Sequence, residues 1–160
     1  MWRTHVRLGS LVLAVALPAV TTCVLLSAAP AAAAAFVVTT TTDADRGNGC
    51  LPGDCTFREA VRASNDNEGS DTITFAVAAN GTIILGAAAE TVDDSGTLTI
   101  IGNGPASTII SGNNVRRVLE FNNTSFALQN LTLTNGKSTI GGAFDVQGNG
   151  TVPILSLIHI

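Results

Sequence analysis

From Thr72 onward the chain consists of short runs in which polar and apolar residues alternate. Ile73 and Phe75 alternate with threonines, and Leu98 and Ile100 do the same in a later segment. The alternation recurs around four further apolar pairs: Leu119 and Phe121, Phe126 and Leu128, Leu131 and Leu133, and Phe144 and Val146. A period of two residues is typical of β-strands that bury one face. The chain must therefore build its core from many short strands.

Turn residues separate the predicted strands. These turns are rich in asparagine and glycine: Asn80–Gly81, 102–105, 112–114, 122–123, 135–136 and 148–150. Asparagine tolerates the left-handed backbone conformation that tight turns need, and its amides can stack on one another in successive layers. Short strands at spacings of about ten residues are compatible with a β-sandwich, a β-barrel or a solenoid.

Two loose internal repeats favour the solenoid. Residues 98–104 are echoed at 131–136, 33 positions later, and residues 107–109 are echoed at 138–140, 31 positions later. Repeats of this length are typical of coils in which each repeat forms about one turn. The β-sandwich remains the alternative.

The first 35 residues have the three-part pattern of an export signal. A basic start within the first seven residues is followed by an uncharged apolar stretch to Leu26 and by alanines at 31–35. Small residues of this kind precede the cleavage site of a signal peptidase. We therefore predict removal of residues 1–35, which leaves Phe36 as the new N-terminus. The alternative is an uncleaved membrane anchor, which two prolines in the run disfavour.

Charge and composition narrow the possible partners. Two of the eight basic residues lie in the signal, so the mature chain carries six basic and twelve acidic residues and a net charge of −6. Such a chain is not expected to bind nucleic acid or anionic lipid, and it should meet a membrane only during export through its signal. The remainder is rich in threonine, asparagine, glycine and aliphatic residues and lacks tyrosine, which is a β-rich composition.

Cleavage of the signal would also remove Cys23 and leave Cys50 and Cys55. An even number of cysteines in an exported protein is expected to pair. The intervening residues 51–54 contain a Pro-Gly turn that can bring the two cysteines within bridging distance. We therefore expect a Cys50–Cys55 disulfide at the start of a helix. Two thiolates are too few for a structural zinc site.

One helix is predicted, from Thr56 to about Asn65. Thr56 is the expected N-cap, and Glu59 stands three positions later as its capping-box partner. The apolar residues of the segment share one face: Phe57, Ala60 and Val61. We expect this helix to cover the open end of a β-coil, where unpaired strand edges would otherwise invite end-to-end association.

The residues at this helix start carry a family resemblance. The stretch Cys55-Thr56-Phe57-Arg58-Glu59-Ala60 is similar to the Cys-Ser-Leu-Arg-Glu-Ala hexapeptide of the CSLREA family of secreted bacterial proteins, with Thr for Ser and Phe for Leu. The similarity extends over about residues 36–75. It implies an exported protein in which a right-handed parallel β-helix, of the kind also found in pectin-cleaving enzymes, follows the motif. The expected fold is therefore all-β, a right-handed parallel β-helix represented by its first coils, with a short N-terminal capping helix.

The predicted organisation has four parts. Residues 1–35 are the signal peptide, residues 36–71 a CSLREA-like cap with the disulfide and the helix, and residues 72–154 incomplete β-helix coils. Residues 155–160, Leu-Ser-Leu-Ile-His-Ile, lack any turn signal and resemble one reading frame of a transposon-insertion sequencing adapter. We expect this tail to be foreign and the natural protein to continue beyond Pro153 or Ile154 with a different sequence; an ordinary buried strand is the alternative.

Three aspartates ahead of the helix form a candidate calcium site: Asp43, Asp45 and Asp54. A helix-loop-helix calcium site needs a glycine at its sixth position, where Asn48 stands, and an oxygen ligand at its fifth, where Gly47 stands. The spacing therefore favours a solvated turn, and no cofactor is expected.

No catalytic residues are predicted. Adjacent residues on a helix point about 100° apart, so we assign Arg58 and Glu59 to the cap, with Arg58 holding a carbonyl or a carboxylate. Pectin-cleaving β-helices use clustered carboxylates on one strand face. Here Asp93 and Asp94 are expected in a turn, and Asp145 is expected to stand alone facing outward.

Two classes of function follow. The first is a non-catalytic secreted or cell-surface β-helix protein, adhesin-like or structural, to which this segment contributes the export signal and the cap. The alternative is a carbohydrate-active enzyme, similar to pectinases or polysaccharide lyases, whose active site lies farther along. An extracellular carbohydrate or a host or cell surface is the class of partner that both imply.

Overall fold

The computed structural model describes residues 32–88 and 90–148, together with the backbone of residues 154–159. The predicted signal up to residue 31 and the last residue of the tail lie outside the described residues. Within them the chain is mostly β, with parallel sheets and one α-helix. The elements are β1 (Ala35–Val38), α1 (Phe57–Asn65), β2 (Thr72–Phe75), β3 (Gly81–Ile84), β4 (Glu90–Val92), β5 (Thr97–Ile101), β6 (Thr108–Ser111), β7 (Leu119–Asn122), β8 (Ser125–Thr134), β9 (Phe144–Gln147) and β10 (Ile154–His159), with a 3-10 turn at Val77–Ala79.

The strands form two sheets. The larger has the order β1-β2-β5-β8-β6-β3, with β10 also paired to β8, and the smaller has the order β4-β7-β9. Every pair of named strands is parallel. This does not fit the β-sandwich alternative, because sandwiches of that class are built from antiparallel sheets.

The pairing register differs from the predicted repeat. Leu98 in β5 pairs with Phe126 in β8, 28 positions later, and not with Leu131. Leu131 lies in the second half of β8, where the neighbouring strand is β6 and Ile109 pairs with Thr132. The predicted spacing of 33 residues was therefore wrong, because two segments of similar sequence occupy different positions along the sheet.

Strand β8 is one element where the sequence suggested two. Its first half pairs with β5 and its second half with β6, and the pairing changes at Asn130. Asn130 has a φ of 54°, in the left-handed region that asparagine tolerates. Four of the predicted turn asparagines are also left-handed: Asn113, Asn114, Asn123 and Asn135. The predicted stacking of amides occurs once in the described hydrogen bonds, where Asn103 Nδ2 donates to Asn80 Oδ1 at 2.7 Å.

The core consists of apolar side chains aligned across successive strands. Ile73, Ile100 and Leu128 are partners in register on β2, β5 and β8, and all three are fully buried. A second fully buried row lies on β3, β6 and β8: Ile83, Ile110 and Leu133. Removing this surface from water is the main stabilising term, worth roughly 2 kcal/mol for each large side chain.

The described chain extends ahead of the predicted mature N-terminus. Ala35 pairs with Thr72, and the Thr72 N–H donates to the Ala34 carbonyl at 3.0 Å. Removal of residues 1–35 would therefore cut into β1 and leave Phe36 as its first residue.

The tail predicted to be foreign also lies in a sheet. The backbone of residues 154–159 forms β10, which pairs in parallel with Leu128–Leu133 of β8. A β-prone segment of any origin can pair with a free strand edge, so the origin of the tail stays a prediction.

We predict that Gly102→Ala destabilises the protein by about 2–3 kcal/mol, at the upper end of the range for overpacking. A Cβ at Gly102 would stand 2.3 Å from the Asn130 carbonyl oxygen and 2.8 Å from Leu131 Cβ, so the backbones of β5 and β8 would have to separate. Gly86→Ala is the matched control, because a Cβ there would meet Asp43 Oδ2 at 3.8 Å, an ordinary van der Waals distance. It should change stability by less than about 0.5 kcal/mol. Urea unfolding curves measure both, and equal losses would contradict the prediction.

Candidate functional site

The disulfide loop lies directly before α1. Cys50 and Cys55 are joined by the expected disulfide, with their Cα atoms 4.5 Å apart. Gly53, in the predicted Pro-Gly turn, has a φ of 82°, which an L side chain rarely adopts. The loop closes by a backbone hydrogen bond from Asp54 N–H to the Leu51 carbonyl at 3.0 Å. The disulfide loop therefore ends at the residue before Thr56, the N-cap of α1.

The capping box predicted from the sequence is present. Glu59 N–H donates to Thr56 Oγ1 at 3.1 Å, and Thr56 N–H donates to Glu59 Oε2 at 2.9 Å. The other oxygen, Oε1, accepts the Arg46 N–H at 2.8 Å. Burial by itself raises the pKa of Glu59, but these backbone donors outweigh it and lower the pKa below its ordinary value. Glu59 is therefore a buried, ionised structural acceptor and is poorly suited to proton transfer.

Arg58 is the centre of the site. Its Nε and Nη2 donate to the two carboxylate oxygens of Asp43 at 3.0 and 2.8 Å, and its Nη1 donates to the Ala88 carbonyl at 2.9 Å and to the Glu90 carboxylate. The predicted role of Arg58, to hold a carbonyl or a carboxylate, is confirmed by this geometry. The side chains of Arg58 and Asp43 are 4% and 3% exposed. Burial lowers the pKa of Arg58, but Asp43 and Glu90 more than offset this and raise it.

A second arginine extends the contacts to the surface. Arg62 Nε donates to Glu90 Oε2 at 3.0 Å, and its Nη1 pairs with Asp45. We call the five residues Arg58, Arg62, Asp43, Asp45 and Glu90 the cap network. It joins the loop before the disulfide, the helix α1 and the strand β4. Its Arg58 side is buried and its Arg62 side is half exposed, so the energetic weight lies with Arg58.

The candidate calcium ligands have other partners. Asp43 is held by Arg58 and also accepts the Gly86 N–H at 2.7 Å, while Asp54 pairs with Arg46 at 3.1 Å. Asp45 accepts the Gly47 N–H, the largest cause of the lowered pKa of Asp45. The expectation of a solvated turn was wrong for Asp43, because Arg58 holds that carboxylate in the interior. In the part of the chain that the structure describes, no three His, Cys, Asp or Glu side chains are placed to hold a metal ion.

The expectation that Asp145 stands alone was also wrong. Arg117 Nη2 lies 3.3 Å from Asp145 Oδ2, and Arg117 also pairs with Glu120 at 2.5 Å. Glu120 and Asp145 are partners in register on β7 and β9. Arg117 is 28 positions from Asp145 in the sequence, so this contact depends on the strand register and has no local signal.

Two buried aspartates were not anticipated. Asp94 lies in the predicted turn but is 4% exposed, and Asp71, just before β2, is 1% exposed. In each, Oδ1 accepts a hydrogen bond, and the buried Oδ2 has no hydrogen-bond partner among the residues that the structure describes. Burial, followed by the charge of Asp71, raises the pKa of Asp94, against the Gly96 N–H that lowers it. The only signal in the sequence is that both aspartates shortly precede a strand.

An open groove of about 460 Å³ lies between β1, residues 45–49 and α1, and Ala34, Phe36 and Asn67 are among the residues that line it.

Among the described residues, no helix is long and apolar enough to cross a membrane. Comparison with protein-family models, with curated proteins and with solved structures found no match. We therefore infer function from the cap network and the strands. The arginines and carboxylates of the cap network form ion pairs with one another, as do Arg117 and the carboxylates of β7 and β9, which suits a structural role.

We predict that Arg58→Met costs about 3–5 kcal/mol, because it leaves the buried carboxylate of Asp43 without its cation while keeping most of the apolar stem. Arg62→Met is the matched control. Like Arg58→Met, it removes one positive charge from α1 and one cation from Glu90. Because the Arg62 side chain is 47% exposed, the loss of folding free energy should stay below about 1 kcal/mol. Chemical denaturation measures both variants. Equal losses would show that the network does not depend on Arg58.

We predict that Asp94→Asn is more stable than the wild type at pH 7. The raised pKa of Asp94 means that the folded state binds more protons than the unfolded chain between about pH 3.8 and the higher folded value, so wild-type stability falls as pH rises through that window. The asparagine keeps an acceptor for the Gly96 N–H and has no proton to lose. The advantage should vanish below about pH 4.

Thermal melts from pH 3 to 8 measure this difference. Asp93→Asn, at the exposed neighbouring position, is the control and should follow the wild-type curve. An Asp94→Asn advantage that is the same at all pH values would contradict the assignment.

Proposed function

We propose that residues 36–71 form the N-terminal cap, and residues 72–154 the first coils, of an exported right-handed parallel β-helix protein. In this proposal the protein is non-catalytic, adhesin-like or structural, and it acts outside the cell or on the cell surface. The observation that carries the proposal is the cap network, which ties the loop and the helix to β4. The resemblance of residues 55–60 to the CSLREA motif agrees with it.

The strand pairing supports the β-helix. One row of partners runs through β2, β5 and the first half of β8, a second through β3, β6 and the second half of β8, and a third through β4, β7 and β9. Partners in these rows lie 23 to 29 positions apart, so each row gains one strand per turn of the chain. Parallel strands connected in this way are almost always joined by right-handed crossovers.

The position of α1 supports a capping role. The helix packs against β1, β2 and β4, and the ring of Phe57 stacks on Phe75 with centroids 6.1 Å apart. Ala60 and Val61 are fully buried on the same side. Strand β1 pairs with β2 at the start of the first row, and β4 is the first strand of the third, so the helix packs against the strands at which two of the three rows begin. A covered end cannot pair with another sheet edge.

One observation bears on the enzyme alternative. Glu120 and Asp145 form a carboxylate pair on one strand face, which is the arrangement that a carbohydrate-active β-helix would need. Both are bound by Arg117, whose guanidinium also donates to the carbonyls of Gly141 and Ile140 at 3.0 and 2.7 Å. Two carboxylates that share one arginine, which also holds a loop by its carbonyls, favour the non-catalytic proposal.

We predict that Val61→Asp makes the exported chain self-associate, because a charge in the fully buried face of α1 would detach the cap and uncover the ends of the apolar rows. Light scattering after size exclusion should give a larger average mass than for the wild type, with β-type circular dichroism retained. Arg62→Gln, at the neighbouring position, which is partly exposed, should leave the mass unchanged. A Val61→Asp protein that stays folded with the wild-type mass would count against the capping function.

A further inference from the structure

Asp71 is a buried carboxylate without a cation. Five other acidic side chains that are buried or partly buried pair with arginines: Asp43, Glu59, Glu90, Glu120 and Asp145. Asp94 is the other buried acid for which the described residues supply no basic partner. Among the residues that the structure describes, no lysine or arginine forms an ion pair with Asp71, although it is only 1% exposed. An ionised group in such a place is costly unless an opposite charge compensates it.

The surroundings of Asp71 point to where that charge comes from. Its Oδ1 accepts hydrogen bonds from the backbone N–H of Ala34 and from Nδ2 of Asn67, each at 2.8 Å. Its buried Oδ2 has no hydrogen-bond partner within the described part of the chain. The atom that faces this carboxylate is thus a backbone nitrogen within the run of alanines at 31–35. If the peptide bond before Ala34 were hydrolysed, the same nitrogen would become an ammonium group.

We propose that the mature chain begins at Ala34, two residues before the Phe36 start predicted from the sequence, and that its α-ammonium group is the cation that binds Asp71. The inference rests on the proposed export, because a signal peptidase must hydrolyse the bond between Ala33 and Ala34. The C–N bond between Ala33 and Ala34 breaks, the water oxygen bonds to the Ala33 carbonyl carbon, which leaves as a carboxylate, and both protons of the water end on the Ala34 nitrogen, which becomes an ammonium group. Capture of a chain terminus by buried polar groups is an established mode of recognition.

The sequence permits this cleavage site, and the structure distinguishes it from the neighbouring ones. A peptidase that needs small residues at the last and third-last positions of the signal finds Ala33 and Ala31 there. Cleavage after Ala35 would remove the Ala34 carbonyl that accepts the Thr72 N–H at 3.0 Å. Cleavage before Ala33 would leave an uncharged amide beside Asp71.

Cleavage before Ala34 leaves the hydrogen bonds of Asn67 largely intact. Asn67 Nδ2 lies within 2.8 Å of the Ala32 carbonyl, which would leave with the signal. The same nitrogen also has the Glu68 carbonyl at 3.1 Å and Asp71 Oδ1 at 2.8 Å, so its two hydrogens both keep an acceptor. The ammonium gains hydrogens that the amide lacks, and these can serve Asp71 more fully.

The charges around the site favour a retained ammonium. Asp71 is in contact with the nitrogen, and Asp94 is coupled to Asp71 by charge. The neighbouring loop adds Asp66 and Glu68. The groove beside Ala34 is also lined by Asp45, Glu59 and one cation, Arg62, which pairs with Asp45 and Glu90. An amine among acids should keep its proton to higher pH than a free chain end does.

The cleavage site is tested by mass spectrometry of the full chain exported from a bacterial host, with sequencing of its N-terminal peptide. We expect a chain that starts at Ala34. A start at Ala32, Ala33, Ala35 or Phe36 would overturn the inference and leave the proposed export intact. An uncleaved chain would overturn both.

The ion pair is tested by NMR titration of the α-amino group in the same secreted protein. A free α-amino group has a pKa of about 7.7–8.0, and we expect a rise of at least about one unit in the wild type. Asp71→Asn should abolish the rise, and Glu68→Gln, which removes a charge three positions away, should preserve most of it. An ordinary pKa in the wild-type protein would overturn the ion pair, whatever the variants do.

Discussion

The guanidinium of Arg58 on α1 joins two segments that are distant in the sequence. Asp43 comes from the loop before the disulfide and Glu90 from the first strand of the smaller sheet, and both end at this one buried group. A planar group with donors on three sides suits such a junction, because each partner is bound in a defined direction. The strength comes from burial, since the same contacts in water would contribute little.

Local features were predictable from the sequence, and distant contacts were not. The capping box joins Thr56 to Glu59, and the disulfide joins Cys50 to Cys55, so each can be inferred from spacing within one turn of chain. Arg58 finds Asp43 at a separation of 15 positions and Glu90 at 32. The residue types do not predict those separations, because they follow from which strands pair and at what offset.

The strands show the same division. The alternation around Ile73, Ile100 and Leu128 predicts which side chains are buried, since it reflects one strand and one face. The alternation does not determine which strands are neighbours in the sheet. The similar Leu-Thr sequences at Leu98 and Leu131 therefore suggested a wrong partner. Asn130 explains the error, because its left-handed backbone separates the two halves of one long strand.

The aligned rows of core residues have an evolutionary consequence. Strand β2 pairs with β5 at an offset of 27 positions and β5 with β8 at 28, and the buried residues facing one another are interchangeable aliphatics. Duplication of one such period would place a new strand against a neighbour of the same shape, with no redesign of the interior. In the proposed β-helix, the gene could therefore lengthen or shorten the protein by whole turns, while a single N-terminal cap would serve a protein of any length.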